Sequence, residues 1–326
     1  MGASTAISWS DSTWTPLRAR VKQDAAAIAE QKGYGSLVQI AKDMAGRVGP
    51  HCEKASAGCQ NCYSETNNAR CLPRNGTGLP FDRRSRDLVD IHLDEKILLQ
   101  PLRWKKGRRI FVCSQTDLFG EFVPDELIDR VFALMALCPQ HTFQVPTKRA
   151  DRMERWAAER TGNSRAIDVR IYKYVFRENG GPLGDAFPGW PLPNVWLGVS
   201  VEDQRRADER IPHLLRTPAA VRFISAEPLL EGVNIQPYTF CVECAEGRTD
   251  RQGYRGAPCT RTTVDWVITG CESGPGARPC QEDWIRSLRD QCVSAGTAFF
   301  YKQWAVNGRK VDTPELDGKK WVEFPR

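Results

Sequence analysis

The sequence predicts an α/β fold: a single domain over residues 1–326 built as a partial or full (β/α) barrel of six to seven parallel strands. Three observations carry this. Short β-branched runs recur along the chain, several of them are apolar on both alternating faces, and helix-period segments separate them. Strands that are apolar on both faces are those covered from both sides, as in a parallel sheet. Alternation of strand and helix then implies parallel crossovers. A doubly wound sheet is the main competing arrangement.

The expected strands are Ala6–Ser10 (AISWS), Arg109–Ser114 (RIFVCS), Thr142–Thr147 (TFQVPT), Val195–Val201 (VWLGVSV), Val221–Ala226 (VRFISA), Asp265–Thr269 (DWVIT) and Ala298–Lys302 (AFFYK). After Pro124, apolar residues fall at Leu127, Ile128, Val131, Phe132, Leu134, Met135 and Cys138, a helical stripe that Pro139 stops. Asp125 and Glu126 sit in its first turn, where negative charge favours the helix dipole. Asp283–Val293 repeats the pattern and ends at Gly296, whereas Pro212 is expected to interrupt Asp203–Leu215. Three stretches read as insertions: a helical one at 18–49, an irregular Gly- and Pro-rich one at 159–193, and a Cys-containing one at 232–263.

Composition narrows the class. Apolar residues make up 41% and charged residues 26%, which excludes a fully disordered chain. The charge of +6 permits an anionic partner without requiring one. The longest apolar run, Val131–Cys138, is too short to cross a bilayer, so no membrane association is expected. The N-terminus shows no secretory signal, and Ala6 breaks the myristoylation pattern. A cytoplasmic, reducing location is therefore expected. There, clustered thiols among the twelve cysteines read as metal ligands or catalysts rather than disulfides. No G-x-G-x-x-G follows a strand and no P-loop motif occurs, so two standard nucleotide sites lose support.

The first cysteine group is Cys52, Cys59 and Cys62, spaced C-x6-C-x2-C after the first expected strand. Three thiolates suit a 4Fe–4S cluster with one iron left open for a small molecule. Four ligands, with Cys71 or His51 as the fourth, would suit structural zinc, and inert thiols are a third reading. Ligands in α/β folds gather beyond the carboxyl ends of strands, where this loop lies.

Cys59-Gln60-Asn61-Cys62-Tyr63-Ser64 resembles the cluster loop of radical S-adenosylmethionine (SAM) enzymes, although their first gap is usually three residues rather than six. Most of the chain is similar to a phage and bacterial three-Cys-motif family of unknown function. The matching stretches include SWSDSTWTP from Ser8, GCQNCYSE from Gly58, RIFVCSQTDLFGEF from Arg109, LPNVWLGVSVEDQ from Leu192, VRFISAEPLL from Val221, DWVITGCESGPGARP from Asp265 and FFYKQWA from Phe299. Two positions depart from it: Cys271, where Gly is expected, and Cys280, often Met. The resemblance implies a radical-SAM-like barrel, phage or mobile-element contexts and a separate partner protein. It also implies an enzyme that takes an electron from a donor, cleaves SAM reductively and abstracts a substrate hydrogen. A nucleic acid base or nucleotide is the expected substrate, in DNA modification or repair. The competing class is a non-catalytic, zinc-stabilised protein that binds nucleic acid or a partner.

Barrel chemistry collects at strand C-termini. Those ends present Cys113, Ser114 and Asp117; Lys148; Ser200 and Glu202; Ser225 and Glu227; Cys271 and Glu272; and Lys302. Buried charges are costly unless paired or used, so this rim reads as functional. Ser114, Asp117, Lys148, Ser200, Glu202 and Glu227 are the expected SAM-binding residues, and Cys271, Glu272 and Lys302 the expected catalytic ones. Cys271 could donate a hydrogen atom, bind a second centre or, as a small buried residue, be inert. A second ligand set is Cys241, Cys244 and Cys259, completed by Cys271 or Cys280. Zinc, an auxiliary iron–sulfur cluster and no metal stay open for it. Basic residues in the same insertion (Arg248, Arg251, Arg255 and Arg261) with Tyr254 suit a polyanion, whereas Arg103–Arg109 reads as a solvated cap.

Overall fold

A computed structural model describes residues 7–70, 75–161, 189–239, 249–250, 253–254, 263–274, 276–306 and 309–325. The chain divides into two compact units. One is built on Ser10–Val145, the other on Ala6–Trp9, Pro146–Gly162 and Trp190–Arg326.

The strands in chain order are β1 (Ser12–Trp14), β2 (Leu17–Val21), β3 (Val48–Gly49), β4 (Val89–Leu93), β5 (Arg109–Val112), β6 (Thr142–Thr147), β7 (Val195–Ser200) and β8 (Val221–Ala226). They continue as β9 (Thr249–Asp250), β10 (Gly253–Tyr254), β11 (Trp266–Gly270), β12 (Ala298–Val306), β13 (Arg309–Asp312), β14 (Glu315–Leu316) and β15 (Lys319–Lys320). The largest sheet has eight strands in the order β1-β5-β6-β7-β8-β11-β12-β13. Its recorded pairings are parallel except for the β12–β13 hairpin. The order runs from one edge strand to another, so among the described residues the sheet is open rather than a closed barrel. No helix among the described residues is long and apolar enough to cross a membrane.

In the first unit, β5 buries Ile110 and Val112, and the helix Asp125–Ala136 buries Ile128, Val131, Phe132 and Met135 from its apolar stripe. The first strand is not Ala6–Ser10 but Ser12–Trp14. Trp9 is apolar because it packs its ring on Phe223 and Trp266, not because it joins the ladder. Ladder bonding begins where the Asp11 amide donates to the Arg109 carbonyl at 2.8 Å. The 18–49 insertion is not wholly helical. Helices Ala25–Gln31 and Gly35–Asp43 are bracketed by β2 and β3, which with β4 form an antiparallel sheet. Ala19, Val21, Ala29, Leu37 and Leu88 make its small core.

In the second unit, β8 and β11 bury residues on both faces, as the apolar runs require. The helix Gln204–Arg216 runs through Pro212 without ending. Asp203 caps it by accepting from the Arg206 amide at 2.7 Å, and buried Ala207, Ile211 and Leu214 hold it to the unit's core. That packing outweighs the bond lost at Pro212. A helix Ala150–Thr161 also extends into the start of the stretch expected to be irregular from 159.

Candidate functional site

Cys52, Cys59 and Cys62 of the first unit lie on one loop between β3 and the helix Tyr63–Ala69. All three are half-buried, and none is in a disulfide. Three side chains tie this loop to the turn that leaves β5. Thr116 Oγ1 donates to the His51 carbonyl, Tyr63 Oη to the Ser114 carbonyl, and Ser64 Oγ to the Gln115 carbonyl at 2.8 Å. The turn reverses at Cys113, whose φ of +57° is unusual for a residue with a side chain. Asp117 fixes its far side by accepting from the Phe119 amide at 3.0 Å. Ser114 and Asp117 thus stand beside the cysteine loop, as strand-end reasoning expects.

Within the loop, buried Glu53 is paired with a half-exposed arginine. Arg86 grips Glu53 with two bonds, Nε to Oε1 at 2.6 Å and Nη2 to Oε2 at 2.7 Å. Burial alone would raise the Glu53 carboxyl, but the neighbouring His51 and Arg86 lower it to about 2. His51 itself is buried against Phe122, with ring centroids 4.8 Å apart, and its Nε2 makes no hydrogen bond. Lys54 pairs with Glu65 at 2.8 Å; that bond, then the nearby Cys62 and Cys59, push its pKa up. Cys113 is held protonated by burial and then by the charges of Asp117 and Cys52. The soft, half-exposed thiols and the adjacent cation suit an iron–sulfur cluster in donor chemistry. Among the described residues, however, no three His, Cys, Asp or Glu side chains are gathered as a metal-ligating group.

The second unit holds the other strand-end residues, and they come in pairs. Glu202, fully buried after β7, accepts from Arg210 Nη1 at 2.9 Å, and the same guanidinium donates to the Ser200 carbonyl at 2.8 Å. Glu227, just after β8, lies 2.8 Å from Lys302 Nζ on β12 and accepts from Ser225 Oγ at 3.2 Å. Gly270 at the end of β11 makes room for this: a Cβ there would come within 2.9 Å of Gln303 Cγ and 3.0 Å of Glu227 Oε1. Glu272 takes a fork from Arg278, whose amide and Nε reach Oε2 at 2.9 and 3.0 Å and whose Nη2 reaches Oε1. Cys271 is buried beside Glu227 and Cys280. Thr147 accepts from the Arg149 amide at 2.9 Å across Lys148, which is half-buried.

The structure thus places Cys52, Cys59, Cys62, Ser114 and Asp117 in one unit, with the loop tied to the β5 turn but its three thiols not gathered as a ligand set among the described residues. In the other it joins Glu227, Lys302 and Cys271, and pairs Glu202 and Glu272 with arginines. Cys71, Cys241, Cys244, Cys259, Arg248, Arg251, Arg255 and Arg261 lie outside the described residues. Within Arg103–Arg109, Arg108 stacks on Trp104 and Arg109 pairs with Asp11. Sequence reasoning missed Arg86 and Arg210 as partners and Cys280 as the neighbour of Cys271. Arg210 was accessible in principle, since eight positions from Glu202 it lies on the helix that follows β7.

The chain matches the profile of a protein family of unknown function, DUF5131, over residues 47–325. It belongs to that family. The matched span of DUF5131 includes the cysteine loop and all the strand-end residues above, but the family description assigns no activity. No curated protein and no solved structure matches the chain.

Proposed function

We propose that this DUF5131 protein is a radical SAM-type enzyme acting on a nucleic acid base or nucleotide. The observation that carries the reading is the cysteine loop. Three half-buried thiols lie within eleven residues, next to a lysine, on a loop bonded to the carboxyl-end turn of a parallel strand. Cys52, Cys59 and Cys62 would hold a 4Fe–4S cluster, which when bound supplies one-electron cleavage of the SAM sulfonium and hence hydrogen abstraction.

The chain's own residues do the rest. Lys54, held by Glu65 at 2.8 Å, sets a cation near Cys62 and Cys59. Thr116, Tyr63 and Ser64 tie the loop that carries these thiols to the β5 turn. Asp117 offers a carboxylate, and Ser114 a hydroxyl, beside that loop for the polar ends of SAM. In the second unit, Glu227 and Lys302 form an ion pair next to Cys271, whose thiol Cys280, burial and Glu227 keep protonated and able to donate hydrogen. Glu202 and Glu272 are engaged by Arg210 and Arg278 and shape their strand ends.

Reduction of the anaerobically reconstituted chain in the presence of SAM tests the reading. Release of 5′-deoxyadenosine by wild type and its loss in Cys59→Ala is expected. A colourless protein that carries zinc on this loop and leaves SAM intact would make it a metal-stabilised binding protein instead.

A further inference from the structure

The large sheet ends at β13, and among the described residues no strand pairs with its outer side. Such an edge offers backbone donors and acceptors to another chain. All four β13 residues, Arg309–Asp312, are exposed. The register with β12 sets which of them face outward. Gln303 lies opposite Asp312, Trp304 opposite Val311, Ala305 opposite Lys310 and Val306 opposite Arg309. One step further along, the Thr313 amide donates to the Lys302 carbonyl at 2.7 Å. Facing residues in an antiparallel ladder alternate between bonded and non-bonded pairs. The pairs bonded to β12 are therefore Lys302–Thr313, Trp304–Val311 and Val306–Arg309. The amides and carbonyls of Lys310 and Asp312 consequently point away from β12, toward the open side.

The side chains of this edge are self-complementary. Lys310 and Asp312 share one face, with Nζ and Oδ1 2.6 Å apart. Val311, 40% exposed, lies on the other face, beside Trp304 across the ladder. Only outward residues bond across an edge, so an antiparallel second copy sets Lys310 or Asp312 against Lys310 or Asp312. Registers centred on either residue oppose like charges, which destabilises the pair. The register centred on Val311 sets Lys310 opposite Asp312 of the second copy, twice, and Val311 opposite Val311. We propose that two copies of this chain associate through this antiparallel β13–β13 pairing, joining their large sheets edge to edge. The contact is two-fold symmetric. One face carries a set of four alternating charges, and the other continues Trp304 and Val311 of both copies as one apolar row. A contact one short strand long falls below the roughly 1,200 Å² of a stable interface, so the dimer is weak and concentration-dependent. Neither the cysteine loop nor the strand-end pairs take part, so this proposal stands or falls apart from the radical SAM reading.

Sedimentation velocity of the full chain, from low micromolar to near-millimolar concentration, tests the proposal. Wild type is expected to shift reversibly from monomer to dimer. Asp312→Lys sets lysines against each other and is expected to weaken association about tenfold; Lys310→Asp does the same with aspartates. The double exchange, Lys310→Asp with Asp312→Lys, restores opposite charges in this register and is expected to recover the wild-type constant to within about threefold. An equimolar mixture of the two single variants is expected to dimerise at concentrations where neither does alone. A wild type that stays monomeric throughout would overturn the proposal, even if a variant fails to fold. So would Asp312→Lys that dimerises as wild type does, or a double exchange that recovers nothing.

Discussion

The cysteine loop of the first unit and the strand-end set of the second were both expected to be functional, and they use their expected residues differently. The loop is held by residues other than its cysteines, by Thr116, Tyr63 and Ser64 on backbone carbonyls and by the Glu53–Arg86 and Lys54–Glu65 pairs, while its three sulfurs stay outside any disulfide. In the strand-end set the charged groups themselves make the structure: Glu202 with Arg210, Glu272 with Arg278, and Glu227 with Lys302. A carboxylate spent on a buried arginine is a structural element first. A thiol presented on a loop anchored by other atoms can be used as a ligand. The difference separates candidate chemistry from architecture more sharply than position at a strand end does.

The comparison breaks most visibly if the paired carboxylates prove dispensable. Arg210→Ala leaves fully buried Glu202 without its guanidinium and is expected to cost about 3–5 kcal/mol in equilibrium denaturation. A loss within the range of ordinary surface substitutions would mean that the pair is not structural.

Glu53 sharpens it from the acid side. Its folded pKa, about 2, lies below its ordinary value of 4.5. A depressed carboxyl contributes stability that is fully present above its unfolded pKa and is lost as pH falls through the folded one. Unfolding free energies should therefore fall between pH 4.5 and about 2 more steeply in wild type than in Glu53→Gln. Equal slopes would remove the Arg86–Glu53 pair from the account of how the loop is backed.

The smallest effect concerns the loop ties. Thr116→Val removes one bond to the His51 carbonyl, a loss of about 1 kcal/mol. If the tie restrains the loop, iodoacetamide should alkylate Cys52 roughly fivefold faster in the variant. Buried Cys138 and Cys292 should be unchanged.

Much of this was legible in the sequence where one physical signal dominates. Thr142–Thr147 and Val221–Ala226 are strands at the expected bounds because their apolar faces alternate into a covered sheet. Proline at 124 and acidic residues after it mark the start of the helix Asp125–Ala136. Burial without ladder bonding, as at Trp9, misplaced the first strand, and two-residue β3 carries no period to read. At the site, a loop of three cysteines announces itself by spacing. The Glu53–Arg86 pair does not, since its members are 33 residues apart and only the fold brings them together. Nor does the Glu272–Arg278 fork have a sequence signature, although its members are only six residues apart.

Iron and zinc analysis of anaerobically purified chain tests the central claim most directly. The account predicts about four irons per chain, lost on replacing Cys52, Cys59 or Cys62 by alanine and retained on replacing buried Cys138. Zinc in place of iron, or iron indifferent to all three loop substitutions, would contradict it.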